Sequence, residues 1–308
     1  MGQLVDGTWK TGDLAPTKDG AFARQATVFR GRITDVEAGR YHLYVSRACP
    51  WAHRTLITRA LRGLEHALGV TVVDPHMDEN GWPFRTDDPD PFGPSTYLRD
   101  VYLRADAKYT GRVTVPVLWD TQRKTIVNNE SREVMRILDV DFAPLSRDAV
   151  IETLAPADLL PAIERTLDAI YEPINNGVYR AGFAKTQAAY DDAVRTLFSA
   201  LAEQDAVLLE QPFLCGDRMT EADIALFTTL LRFDLVYYSH FKCNLRRIRD
   251  HAGLWRFARR MYAVPAIRAT CALDEIKTHY YWSQDNVNPS RIVPLGPDDY
   301  ATDLEAAL

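Results

Sequence analysis

The sequence predicts two domains of different class, an α/β domain followed by an all-helical one. Three observations carry this. Short runs rich in β-branched and aromatic residues fall only in the first half: YHLYVS (41–46), GVTVVD (69–74), VTVPVLWD (113–120) and KTIVNN (124–129). Helical patterns are interleaved with them. Beyond FAPLSRDAV (142–150) the strand signal nearly vanishes, and apolar residues recur at helical spacing. A chain of 308 residues can build both domains.

Taken in order, residues 1–40 read as an irregular extension with scattered Gly, Pro and charges. YHLYVS is the first strand. A helix follows from about Pro50 to Arg62, closed by Gly63 where a left-handed cap is expected. GVTVVD then pairs parallel to the first strand through a right-handed crossover. The connection from Pro75 to Gly111 is longer than compact domains usually need, and such loops are often functional. Its first half is rich in Pro, Gly and Asp; its second, TYLRDVYLRADAKY, predicts a short helix. The third and fourth strands, joined by TQRK, form an antiparallel hairpin, and NESREVMRILDV reads as an amphipathic helix through Val134, Ile137 and Leu138. This order of elements is that of a thioredoxin-like domain.

Helices are expected at 156–175, 184–203, 220–236, 250–262 and 265–275. MTEADIALFTTLLRF is the clearest, with Thr220 and Asp223 at capping-box spacing ahead of an apolar run. That box reads as structural. The expected organisation is an extension (1–40), a thioredoxin-like domain (41–142), an all-helical domain (156–285) and a tail (286–308).

Composition excludes several classes. Hydrophobic residues make up 46% and charged residues 25% of the chain, ordinary globular values. A net charge of -6 argues against a nucleic-acid partner. The cluster Leu245-Arg-Arg-Ile-Arg249 with Arg256, Arg259 and Arg260 reads as a solvated helix face or helix end. No run approaches the 18 or so apolar residues of a membrane helix, and the N-terminus has no signal-peptide core. Cys49, Cys215, Cys243 and Cys271 lie too far apart for a disulfide framework or a zinc site. His240, Cys243 and His251 lack a convincing fourth ligand, so no metal is expected. A reducing, cytoplasmic compartment fits this cysteine usage.

Cys49 is the most informative residue. Pro50 suits the first helical position, where its missing N–H is no loss. Cys49 is then the N-cap, its sulfur near the first-turn N–H groups. The helix dipole favours an anion there, and thiols at such sites titrate at roughly 3.5–7.5 instead of about 8.5. The bland alternative, a buried structural cysteine, loses ground to this strand–helix junction. The residue three positions on is Ala52, so no Cys-x-x-Cys dithiol exists. A reactive lone cysteine needs an external thiol, and glutathione is the abundant choice. His53 and Arg54, one turn into the helix, are open to an anion contact or to a packing or solvent-facing role.

TVPVL places Pro116 inside an apolar strand, where proline disrupts the ladder. A cis bond is the exception, at about 5–6% of X–Pro peptides. At the start of this strand in a thioredoxin-like domain it turns the preceding backbone outward, so that Val115 offers its N–H and C=O to an extended ligand. NNES puts Glu130 and Ser131 at a helix start, where N–H groups and a hydroxyl suit a carboxylate and Glu130 an ammonium. Simple capping explains both residues as well.

Together, SRACPWAHRTLI, GRVTVPVLWD, TIVNNES, NNGVYRAGFA, RFDLVYYSHFKCN and DEIKTHYYWSQ resemble the glutathionyl-hydroquinone reductases, the Xi class of the glutathione transferase superfamily. The resemblance spans about residues 40–297 and implies a glutathione transferase fold. It implies Cys49 as nucleophile and glutathione as co-substrate, held by Trp82, by Arg112, Val113, Thr114 and Val115, and by Glu130 with Ser131. It implies catalytic roles for Tyr179, Tyr237 and Tyr280 among the 14 tyrosines. Tyr179 exchanges a proton with the aromatic substrate; Tyr237 and Tyr280 hydrogen-bond near the sulfur or quinol, with Tyr238 and Tyr281 adjoining them. It further implies glutathionylated aromatic quinols as substrates, no metal, and a homodimer. Two other readings remain: a conjugating glutathione transferase using a hydroxyl such as Ser46, and a non-catalytic binding or scaffold protein on the same fold.

Overall fold

A computed structural model describes residues 2–12 and 19–306. Position 1 and positions 13–18 of the expected extension, and 307–308 of the expected tail, lie outside the described residues. The chain divides into two compact units. One comprises residues 1–15, 24–152 and 272–283; the other comprises 16–23, 153–271 and 284–308.

Residues 2–11, read from sequence as irregular, form an antiparallel hairpin of β1 (Gly2–Val5) and β2 (Thr8–Thr11). Each strand has four residues, too few for a periodic signal. Then come β3 (Tyr41–Val45), α1 (Pro50–Leu61), β4 (Gly69–Val72), α2 (Leu98–Ala105), β5 (Val117–Asp120), β6 (Thr125–Asn128) and α3 (Ser131–Arg136). The sheet order is β4-β3-β5-β6, with β3 and β4 parallel and the other pairs antiparallel, as the thioredoxin-like reading requires. Every residue of β3 is buried, His42 included, so the strand shows no alternation of buried and exposed positions.

Two local expectations change. The sequence pattern starts the third strand at Val113, yet pairing starts at Val117, because Pro116 has no N–H to give the ladder. The helix after β6 keeps α-geometry only to Arg136 and continues as a π-helical turn, Ile137–Asp141. Gly63 closes α1 at φ +59°, as its position predicted.

The second unit is helical: α4 (Leu160–Ile170), α5 (Gly177–Gly182), α6 (Gln187–Glu210), α7 (Glu221–Arg232), α8 (Ala252–Ala263) and α9 (Pro265–Arg268). π-helical turns extend α4 over Tyr171–Asn175 and α7 over Phe233–Tyr237. Pro265 opens α9, and the expected 265–275 helix stops at Arg268. A separate helix, α10 (Leu273–Ser283), belongs by packing to the first unit, and α11 (Tyr300–Glu305) closes the second. The Thr220–Asp223 capping box forms at the buried start of α7.

Candidate active site

Cys49 is the N-cap of α1, with extended backbone (φ −77°, ψ 123°) and Pro50 at the first helical position. Its carbonyl accepts the first helical bond from His53 N–H at 2.9 Å, and its own N–H donates to Ser46 O at 3.2 Å. The side chain is half-buried, and Sγ lies 3.8 Å from the carbonyl oxygen of Val115. The junction therefore holds a thiol at a helix start, against the segment that precedes β5. His53 and Arg54 are both buried, so neither faces solvent. Arg54 lies over the Trp51 ring at 4.4 Å and donates to Ser131 Oγ at 3.4 Å.

The Val115–Pro116 bond is cis. Val113 and Val115 are buried, and the backbone between them is held from one side by Tyr102. The Tyr102 hydroxyl donates to Thr114 O at 2.8 Å and accepts from Thr114 N–H at 3.2 Å. Tyr109 OH donates to Arg112 O at 3.0 Å, and Arg112 N–H donates to Gln25 Oε1 at 3.2 Å. Glu130 caps α3 through Arg132 N–H at 3.4 Å and accepts from Thr27 Oγ1 at 3.1 Å. Ser131 is buried behind it. Capping is thus a real function of Glu130, and the helix N-terminus it closes suits a carboxylate.

Trp82 is packed deep in its loop, its ring stacked on His279 of α10 with centroids 4.6 Å apart. His279 Nδ1 lies 2.9 Å from Pro75 O, a carbonyl that can only accept, so the proton sits on Nδ1. Ser283 Oγ donates to the same carbonyl and accepts from Met77 N–H, at 3.1 and 3.0 Å. Helix α10 thereby holds the Trp82 loop and carries the buried Tyr280 with it; Tyr281 is slightly more exposed.

Tyr179 and Tyr237 meet in the second unit. Their rings lie 6.1 Å apart, and Phe241 stands 5.6 Å from Tyr179 and stacks on Tyr237 at 5.4 Å. Tyr238 points elsewhere, with Arg247 over its ring at 5.1 Å. This aromatic cluster separates Tyr237 from its neighbour.

Residues 48–141 match the model for the glutathione S-transferase N-terminal domain, and residues 187–260 match that for the C-terminal domain. The chain is 46% identical over 304 residues to "Glutathionyl-hydroquinone reductase PcpF" of Sphingobium chlorophenolicum, covering 96% of both chains. It is 45% identical to "Glutathionyl-hydroquinone reductase YqjG" of Escherichia coli, over 96% of this chain and 95% of that one. A Xi-class glutathione transferase from Natrialba magadii superimposes with a TM-score of 0.93 at 51% identity, over 100% of this chain and 96% of the other. The glutathione-bound structure of YqjG gives a TM-score of 0.84 at 46% identity, over 96% of each chain.

The chain belongs to the Xi class of the glutathione transferases. Its family ligand, glutathione, is the co-substrate that the sequence implied. The sequence did not single out Tyr102, whose hydroxyl holds the Thr114 backbone. It is fully buried and also accepts from Asn129 Nδ2 at 3.0 Å, next to Glu130. Burial pushes its hydroxyl above the usual tyrosine range. Its only signal was an apolar position on α2, indistinguishable from packing.

The clusters set aside have structural roles in this transferase. His240 bonds Gln284 Oε1 at 3.0 Å, and burial lowers its pKa to about 4. Burial pushes the Cys243 thiol well up. Among the described residues no group of three His, Cys, Asp or Glu side chains could hold a metal. Arg256 donates to Leu209 O at 2.9 Å and Arg260 to Pro212 O at 2.9 Å, near the end of α6. The basic cluster closes helix ends. No helix among the described residues is long and apolar enough to cross a membrane.

Proposed function

We propose that this chain removes glutathione from glutathionyl-hydroquinones through a Cys49–glutathione mixed disulfide, giving hydroquinone and oxidised glutathione. The observation that carries it is a single thiol at the start of α1, 3.8 Å from the carbonyl before Pro116, with no second cysteine in the following turn. The 45–46% identity to proteins named glutathionyl-hydroquinone reductases supports the same substrate class.

In the first step the Cys49 thiolate attacks the thioether sulfur of the substrate. The ring carbon–sulfur bond breaks, its electron pair remains on the ring carbon, and that carbon takes a proton. Hydroquinone leaves, and Cys49 holds glutathione as a disulfide. In the second step a glutathione thiolate attacks the glutathionyl sulfur, oxidised glutathione departs and the Cys49 thiolate returns. Roles follow from the resemblance: Tyr179 supplies the proton, and Tyr237 and Tyr280 hydrogen-bond at the sulfur or quinol. Arg112–Val115 bind the glutathione backbone, as does Trp82, while Glu130 and Ser131 take the γ-glutamyl end. A homodimer in a reducing cytoplasm belongs to the same reading.

Conjugation through Ser46 is disfavoured by its position. Ser46 is buried, and its hydroxyl accepts from Ala48 N–H at 3.2 Å, closing its own turn. A scaffold role is the other competitor. Intact-protein mass after incubation with a glutathionyl-hydroquinone, without added glutathione, tests all three. The reductase reading requires one glutathione adduct on wild type and none on Cys49→Ser, with the adduct lost on adding glutathione. Absence of an adduct on wild type sinks it.

A further inference from the structure

The N-terminal hairpin lies against both loops that carry proposed glutathione contacts. On one side β1 runs beside residues 109–111. Leu4 N–H donates to Gly111 O at 3.0 Å, and Gly111 N–H returns to Leu4 O at 2.9 Å. Asp6 N–H reaches Thr110 Oγ1 at 2.9 Å, and Gly7 N–H reaches Tyr109 O at 3.1 Å. The next residue along is Arg112.

On the other side β2 meets residues 79–81 through Trp9. Its indole N–H donates to Glu79 O at 3.0 Å. Gly81 has φ +98°, and a Cβ there would lie 3.3 Å from the Trp9 ring. Arg99 covers the ring at 5.1 Å and donates to Asn80 O at 3.1 Å. The next residue along is Trp82.

Two loops about thirty residues apart in sequence thus share one seat, and each proposed ligand contact begins one residue beyond it. A hairpin of two four-residue strands has no stability of its own. Its order comes from these contacts, and the contacts in turn fix the loops. We propose that the hairpin, through Trp9, is the positioning element of the glutathione site: it sets the Trp82 loop against the 112–115 segment and so sets glutathione affinity, without acting on Cys49. The inference rests on the reading that Trp82 and residues 112–115 hold glutathione.

The experiment is calorimetric titration of reduced glutathione into Cys49→Ser protein, alone and combined with Trp9→Ala, Trp9→Phe or Trp82→Ala. Small displacements of positioning groups have large effects. We expect Trp9→Ala to raise Kd about tenfold, and Trp9→Phe, which keeps a ring, to recover most of that loss. In protein retaining Cys49, the rate of Cys49 alkylation by iodoacetamide stays within about twofold after Trp9→Ala. A merely structural hairpin predicts a lower melting temperature with Kd unchanged in the folded protein, and that result overturns the proposal. So does an alkylation rate that falls in step with affinity. If Cys49→Ser binds no glutathione, the functional reading fails and the inference falls with it. If Trp82→Ala weakens binding and Trp9→Ala does not, only the hairpin inference fails.

Discussion

The Cys49 junction and the tyrosine cluster of the second unit are made in opposite ways. At Cys49 the local sequence does the work: Pro50 starts the helix, and the backbone places the sulfur at its N-terminus. At Tyr179 and Tyr237 no local rule acts. Their positions follow from packing against Phe241, and for Tyr179 also against Phe183, whose ring is 6.1 Å away. A side chain placed by backbone geometry announces itself in a short motif, whereas one placed by side-chain packing looks like core.

The sharpest way to break this comparison is to remove the sulfur. Cys49→Ser keeps the cap geometry and lacks the thiolate, so hydroquinone release should fall by about a thousandfold or more. Steady-state product formation measures it. A residual rate within tenfold of wild type would show that the junction is structural and that the chemistry lies elsewhere.

Next come the tyrosines. General acid–base groups typically contribute 10²–10⁴-fold, so Tyr179→Phe should slow single-turnover hydroquinone release about a hundredfold. Tyr237→Phe should slow it about tenfold, and Tyr238→Phe by less than about twofold. The contrast between the last two uses the packing as its own control, since Tyr238 lies under Arg247 and outside the aromatic cluster. Equal effects at 237 and 238 would mean that the Tyr237 hydroxyl has no catalytic part, whatever Tyr179 does.

A smaller effect is expected at Tyr102, which supports the backbone without touching ligand in the proposed scheme. Tyr102→Phe leaves the Thr114 peptide and the Asn129 amide without their buried partner. Such a loss costs about 1–3 kcal/mol. The KM for glutathione should rise several-fold with kcat nearly unchanged, as steady-state kinetics at saturating quinol substrate would show.

How much was legible follows the same division. The parallel pair of β3 and β4, the β5–β6 hairpin, α1 with its Gly63 cap, and the Thr220–Asp223 box follow from periodicity, turns and local caps, and they stand as read. The hairpin at 2–11 escaped because four-residue strands leave no period to detect. Helix α10 escaped because its separation from α9 and its packing with the first unit depend on partners distant in sequence. Arg85 of the long loop pairs with Glu275 at 2.7 Å, a contact no local pattern encodes. Tyr102 escaped for the same reason: its hydroxyl matters only because Thr114 and Asn129 arrive beside it.

The smallest expected effect on activity, and the cleanest on stability, lies at Asp223. Its carboxylate accepts from Leu214 N–H, Thr220 N–H and Thr220 Oγ1 at 2.7, 2.8 and 2.9 Å. Those three donors favour the charged form, yet complete burial wins and raises its pKa to about 6. In the unfolded chain the group titrates near 3.9. The protonated form is therefore favoured on folding. Its contribution is fully present below about pH 4, declines as the pH rises to about 6, and is flat above. The decline is a little over 1 kcal/mol per pH unit, on the order of 3 kcal/mol in all. Asp223→Asn cannot titrate. The stability difference between wild type and this variant, from urea unfolding at pH 4–7, should thus shift against wild type up to pH 6 and then level. Other titrating groups, His240 among them, are shared by both proteins and cancel in the difference. A pH-independent difference would mean that the three donors outweigh burial and that the box holds an ordinary ionised cap.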